Sequence, residues 1–250
     1  MLPTLAGVIA SDNRKHFGTT HWSVILEAGK GTDSPHASEA LESLCRSYWY
    51  PLYAYARQRG QAHADAQDLT QGFFLRLVDR NWLAQVDRTK GKFRSFLLMA
   101  MNHFLANEWR QLRAEKRGGQ AVFVSLDDDL AQERWKFEPT TDSTPEKAFE
   151  QRWAAALLER VLYRLRAEQA AAGRSRLFDE LKVFLTGRKG EVAYSEMATR
   201  LKSTESALKM SVYRLRHRYG EILREEISNT IASTDDVNTE LRYLLALLTQ

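Results

Sequence analysis

Apolar residues recur at helical spacing along most of the chain, and the alternation of a strand is nearly absent. The pattern predicts an all-α protein. A short helix is expected at Ser23-Val24-Ile25-Leu26, closed by Gly29 and Gly31. The next takes Ser38 as its cap and puts Leu41, Leu44, Cys45 and Tyr48 on one face, and Pro51 should interrupt or restart it. Between Asp65 and Leu77, a face of Ala66, Leu69, Phe73 and Leu77 should be buried, while Asp65, Asp68, Gln71, Gly72 and Leu75 share another. Glycine inside a helix costs about 1 kcal/mol relative to Ala, so Gly72 implies a close neighbour. A long helix over 93–113 would turn Phe93, Phe96, Leu97, Ala100, Phe104 and Leu105 inward. Met99, Asn102, Ala106, Arg110 and Arg113 then form its outer stripe, beside His103 and Asn107.

Past Gly118-Gly119 the composition changes. From Ser125 to Glu150 eight acidic residues oppose three basic ones, among Pro, Ser and Thr, which marks an acidic linker. Thr144-Pro145 then starts a helix with a cap and a proline at the first helical position. It repeats Phe149, Trp153, Leu157, Val161 and Leu165 and stops near Gly173. Another carries Leu177, Phe178, Leu181, Phe184 and Leu185 as far as Gly187. The expected organisation is a flexible tail over 1–18, a helical domain over 19–117, the linker over 118–144 and a second helical domain over 145–231. A C-terminal amphipathic helix follows within 232–250. It starts at the Asp235-Asp236 cap and repeats Val237, Leu241, Leu244, Leu245 and Leu248, a stripe that requires a partner.

The stretch from Tyr194 to Arg224 reads as two helices around a corner. Ser195 caps a short helix whose apolar side is Met197, Ala198 and Leu201. The chain breaks at Lys202-Ser203-Thr204, where two hydroxyls offer caps; Lys202 holds a corner position often given to Gly. The second helix sets Leu208, Val212 and Leu215 against Ser206, Lys209, Tyr213 and Arg214, with Arg216 and Arg218 following. Four basic residues and no acidic one lie between Lys209 and Arg218. This is a helix-turn-helix arrangement, whose second helix enters the major groove of DNA. Thr204 and Ser206, at its N-terminal end, are placed to meet phosphate or base edges.

Charge sharpens this picture. The net charge of +4 is a mild bias, but Arg88 to Arg117 holds eight basic residues and two acidic. A positive groove with amides and aromatics nearby favours single-stranded nucleic acid; a solvated helix face is the competing reading. The single cysteine permits no internal disulfide and fits a reducing cytoplasm. No apolar run approaches the roughly 20 residues of a membrane span. The six histidines and one cysteine show no metal-ligand spacing, and there is no phosphate-binding glycine loop or nucleophile arrangement. Neither an enzyme nor a cofactor is expected.

Three motifs in order resemble the extracytoplasmic-function type of bacterial sigma factor, over about residues 38–117 and 145–228. Asp65-Ala66-Gln67-Asp68-Leu69-Thr70-Gln71, followed by Phe74-Leu75-Arg76-Leu77, is similar to the family's polymerase-binding helix. Phe93-Arg94-Ser95-Phe96-Leu97 resembles the start of its promoter-melting helix, and Met197-Ala198 through Arg214 its final helix-turn-helix. The resemblance implies a first domain that binds the clamp of core RNA polymerase and opens the −10 element. Asp65, Asp68, Gln71 and Phe74 match the clamp contact. Arg88, Lys90, Lys92, Arg94, Asn102, His103, Asn107, Arg110 and Arg113 would hold the opened strand. The second domain would meet the flap and read the −35 element with Thr204, Ser206, Lys209, Tyr213, Arg214, Arg216 and Arg218. Implied partners are core polymerase, duplex and single-stranded promoter DNA, and an anti-sigma or other regulatory protein. The sequence departs from the family pattern at Gly72, His103 and Asn107. The Trp22 segment and the tail from Asp235 fall outside it and are candidate regulatory segments.

The leading alternative is a helix-turn-helix regulator that binds duplex DNA on its own as a dimer. The Asp65–Leu77 helix discriminates, since such a regulator has no use for a clamp-binding surface. An enzyme acting on nucleic acid and a helical interaction protein with merely solvated basic faces are the other rivals.

Overall fold

A computed structural model describes residues 22–29, 35–80, 82–115, 144–186, 193–231 and 236–248. All regular structure among them is helical: α1 (Trp22–Ala28), α2 (Pro35–Gln58), α3 (His63–Asp79), α4 (Phe93–Glu115), α5 (Pro145–Ala171), α6 (Ser175–Leu181), α7 (Val183–Thr186), α8 (Tyr194–Arg200), α9 (Glu205–Ser228) and α10 (Val237–Leu248). Two 3-10 turns, Trp82–Gln85 and Arg88–Lys90, precede α4. The expected tail over 1–18 and the linker from 118 to 143 lie outside the described residues. The chain forms two compact units, one running to Ala156 and resuming at Ile227, the other spanning Leu157–Glu226.

In the first unit, α2, α3 and α4 bury an aromatic-rich core. Phe73 of α3 meets Phe104 of α4 edge-on, with ring centroids 5.8 Å apart. Gly72 is part of that contact, because a Cβ there would lie 3.4 Å from the Phe104 ring. The neighbour is an aromatic ring of the next helix at an ordinary van der Waals distance, which leaves room for a Cβ. Trp22 of α1 packs edge-on against Phe93 at 6.2 Å, and its backbone N–H donates to the Asn229 carbonyl. Pro51 does not interrupt α2, which is continuous from Pro35 to Gln58. Proline removes one backbone donor and disfavours a helix interior. Here Leu52, Tyr53, Ala54, Tyr55 and Ala56 are all fully buried, and their packing outweighs that local cost. Ser38 accordingly lies inside α2 and does not cap it.

In the second unit, Leu157, Val161 and Leu165 of α5 supply one apolar row. Phe178 and Leu181 of α6, Met197 and Ala198 of α8, and Leu208, Val212 and Leu215 of α9 complete the core. The helix expected through Leu185 is broken at Lys182 into α6 and α7. The α8 cap position is Ala193, with no side-chain cap, so Ser195 sits within the helix and its carbonyl accepts from the Thr199 hydroxyl. Thr204 does cap α9, its Oγ accepting from the Ala207 N–H at 3.2 Å. Thr144 serves α5 in the same way, accepting from the Lys147 N–H at 3.3 Å.

Candidate nucleic-acid interface

The α8–α9 corner turns on Lys202, whose φ of 49° is the left-handed conformation that L-residues pay to adopt. It is the position where glycine is common in this motif. The turn puts the first helical residues of α9 at the surface. Thr204, Ser206, Lys209, Tyr213 and Arg214 are all exposed, and Leu208, Val212 and Leu215 point inward as their spacing required. Tyr213 presents a largely bare ring, 64% exposed, on this face. Lys209 is flanked by Glu205 at 3.1 Å and lies 5.5 Å from the centre of the Tyr194 ring. Arg214 makes no ion pair among the described residues.

Arg216 and Arg218, predicted to join that face, are occupied elsewhere. Arg216 donates to the Phe184 carbonyl at 2.9 Å. Arg218 donates two hydrogen bonds to Glu168 of α5, at 2.8 and 2.9 Å, and a third to Glu221 at 2.9 Å. These bonds raise the arginine above its usual range, and they hold Glu168 below the usual carboxylate range. A bidentate pair of this kind orients two helices.

The nine residues predicted to hold an opened strand are likewise divided. His103, Asn107 and Arg110 lie exposed along α4 beside Met99, itself 54% exposed. Lys90 is exposed, with Asp87 at 4.0 Å. Asn102 accepts a hydrogen bond from the Tyr55 hydroxyl at 2.5 Å. Burial pushes that phenol above its ordinary value, while Arg59 beside it pulls the other way. Arg88 and Arg113 have described backbone, but their side chains lie outside the described residues.

Lys92 and Arg94 sit at the start of α4 and meet acids. Arg94 is 2% exposed, over the Trp153 ring at 4.4 Å, with Glu240 of α10 at 2.5 Å and Glu150 of α5 at 3.6 Å. Its nitrogens lack aligned hydrogen bonds, so charge and the indole face hold it. Lys92 reaches the same Glu240 at 2.5 Å. Sequence reasoning missed Glu240, Glu150, Trp153 and Tyr243 as members of this cluster. The signal was available in the phase of α10: Leu244 and Leu247 are buried with Glu240, whereas Leu245 and Leu248 of the expected stripe are substantially exposed.

On α3, Asp65 and Leu75 are exposed, and Asp68 and Gln71 half-buried. Partial burial, reinforced by Asp65, holds the Asp68 carboxyl above its usual range. Phe74 does not share that surface: it is 1% exposed and packs edge-on against Phe73 at 5.7 Å. Among the described residues no helix is long and apolar enough to cross a membrane, and no cluster of His, Cys, Asp and Glu could hold a metal ion.

Regular structure that is all helical among the described residues, with a basic, solvent-facing second helix in a helix-turn-helix, is the architecture of a transcription protein that binds DNA. The family model described as ECF sigma factor matches residues 33–209, well over half of the chain, and the chain belongs to that family. It is accordingly a sigma factor with a role in transcription initiation. No curated protein and no solved structure is significantly similar to it.

Proposed function

We propose that the chain binds core RNA polymerase through the Asp65, Asp68 and Gln71 face of α3, delivers it to promoters and opens the −10 element. In this reading residues 19–117 serve the polymerase clamp and the −10 strand, and 145–231 the flap and the −35 duplex, joined by the linker of 118–144. The strand meets His103, Asn107, Arg110 and Lys90. The −35 duplex meets Thr204, Ser206, Lys209, Tyr213 and Arg214. The observation that carries the reading is the outer face of α9, where basic and hydroxyl side chains stand exposed on a helix whose opposite side is core. Exposed donors at a helix N-terminus suit phosphate and base edges alike.

The test is transcription by reconstituted core polymerase on a fragmented genomic library. Discrete promoters are expected with the chain present and none with core alone. Asp68→Lys should abolish co-purification with core while leaving the circular dichroism spectrum unchanged. Identical transcripts with and without the chain, or undiminished co-purification of the Asp68→Lys chain, would overturn the reading.

A further inference from the structure

Helix α10 meets its unit through buried Leu244 and Leu247 and half-buried Val237 and Leu241. Of its leucines Leu244 and Leu247 are buried, while Leu245 is 48% and Leu248 37% exposed. It also buries a carboxylate. Glu240, 3% exposed, faces inward one turn before Leu244 and contacts both Lys92 and Arg94. Tyr243 closes the cluster: its ring lies 5.2 Å from the Lys92 ammonium and 6.0 Å from the Arg94 guanidinium. Its hydroxyl donates to Glu150, and burial together with that bond pushes the phenol up to about 12. Two cations thus face two carboxylates, which is what allows Glu240 to be buried at all.

A carboxylate that bridges a lysine and an arginine offers its oxygens to the same donors that a DNA phosphate would take. Those donors stand at the start of α4, the helix whose exposed strip is His103, Asn107 and Arg110. We propose that α10 is an internal competitor for the opened DNA strand, with Glu240 occupying the phosphate position of Lys92 and Arg94. This rests on the reading of α4 as the strand-binding helix. Exchange of Glu240 for a phosphate keeps the ion pairs and gives up the contacts of Leu244, Leu247 and Tyr243. A strand regains binding through Lys90 and Arg110, which α10 leaves uncovered. The docked helix lowers apparent strand affinity by the fraction of molecules in which it is released.

The test uses the full chain, reconstituted with core polymerase, and a fluorescent mixed-sequence single-stranded 20-mer read by anisotropy between 50 and 200 mM salt, with core alone as baseline. Leu244→Asp together with Leu247→Asp releases α10 without touching either cation. The released chain should bind about fivefold tighter or more at the lowest salt. Its salt dependence should steepen by about 0.7, one phosphate taking the place of one carboxylate. Adding Lys92→Ala should remove roughly half of that gain. Glu240→Gln, which keeps the shape and removes the charge, should move both readouts the same way and serves if the double variant fails to fold. Equal affinity and slope for the native and released chains overturns the competition and leaves strand binding standing. Binding no better than core alone by every chain overturns the strand-binding reading and the competition with it.

Discussion

Arg94 and Arg214 are both arginines on helices that the sequence assigns to DNA, and both lie in runs rich in positive charge. One is 2% exposed, over Trp153 and against Glu240 and Glu150; the other is exposed and has no ion pair among the described residues. The difference does not come from the arginines or from their own helices. It comes from acids far along the chain, Glu150 and Glu240, placed opposite Arg94 by the phase of α5 and α10. Positive charge in a sequence is therefore an upper bound on charge available to a nucleic acid. What remains after internal pairing sets the counterions a DNA can displace.

Arg94 and Arg214 should differ most in what their loss does to stability. Arg94→Ala leaves Glu240 buried beside Lys92 alone and should cost about 3–5 kcal/mol, the range for breaking a buried pair. Arg214→Ala should stay within about 0.5 kcal/mol. Urea unfolding of each single variant measures both. Arg94→Met combined with Glu240→Leu should recover most of the first loss, because it removes both charges and not one. Equal losses at Arg94 and Arg214 would mean that the acids around Arg94 do not hold it.

The same contrast runs within the second unit, between Arg214 and Arg218. Arg218 is committed to Glu168, whose folded-state pKa is depressed chiefly by the hydrogen bonds it accepts from that arginine. A depressed carboxyl contributes stability that is fully present above its unfolded value, about 4.3, and lost as pH falls through the folded value. Glu168→Gln should therefore lower stability at neutral pH by about 1 kcal/mol, no more because the pair is partly in water and screened. The gap from the native chain should narrow below about pH 4. Thermal melts across that range decide it, and a gap constant with pH would assign the loss to packing.

Helix existence and inward faces were legible because each rests on local spacing. Leu208, Val212 and Leu215 are buried as their i, i+4, i+7 positions require. Gly72 implied a neighbour too close for a Cβ, and the ring beside it, Phe104, leaves room for one. What failed did so for non-local reasons. Pro51 looked like a break because its local cost is visible in sequence, while the burial of Leu52 to Ala56 that outweighs it is not. Phe74 sat beside candidate contact residues in the motif, yet it is core, because α3 is covered on more of its circumference than a single face. The leucine spacing of the tail helix hides Glu240, the residue through which it reaches α4. Arg218 and Arg216 read as groove residues because nothing near them in sequence names Glu168 or the Phe184 carbonyl as partners.

The smallest effect concerns the corner that presents Arg214 at all. Lys202 adopts φ 49°, where an L-residue is penalised by roughly 1 kcal/mol or somewhat more and glycine is not. Lys202→Gly removes that penalty but loosens the unfolded chain, so the net gain should be about 0.5 kcal/mol. Lys202 is exposed and makes no ion pair among the described residues, so its loss removes no internal contact of charge. The substitution then separates two roles. If Lys202 only shapes the corner, the urea midpoint should rise slightly and the salt dependence of duplex binding by the holoenzyme should not change. If the side chain also meets a phosphate, the salt slope should fall by about 0.9 while the midpoint still rises. A lower midpoint would show that the left-handed corner is not where the strain of this motif resides.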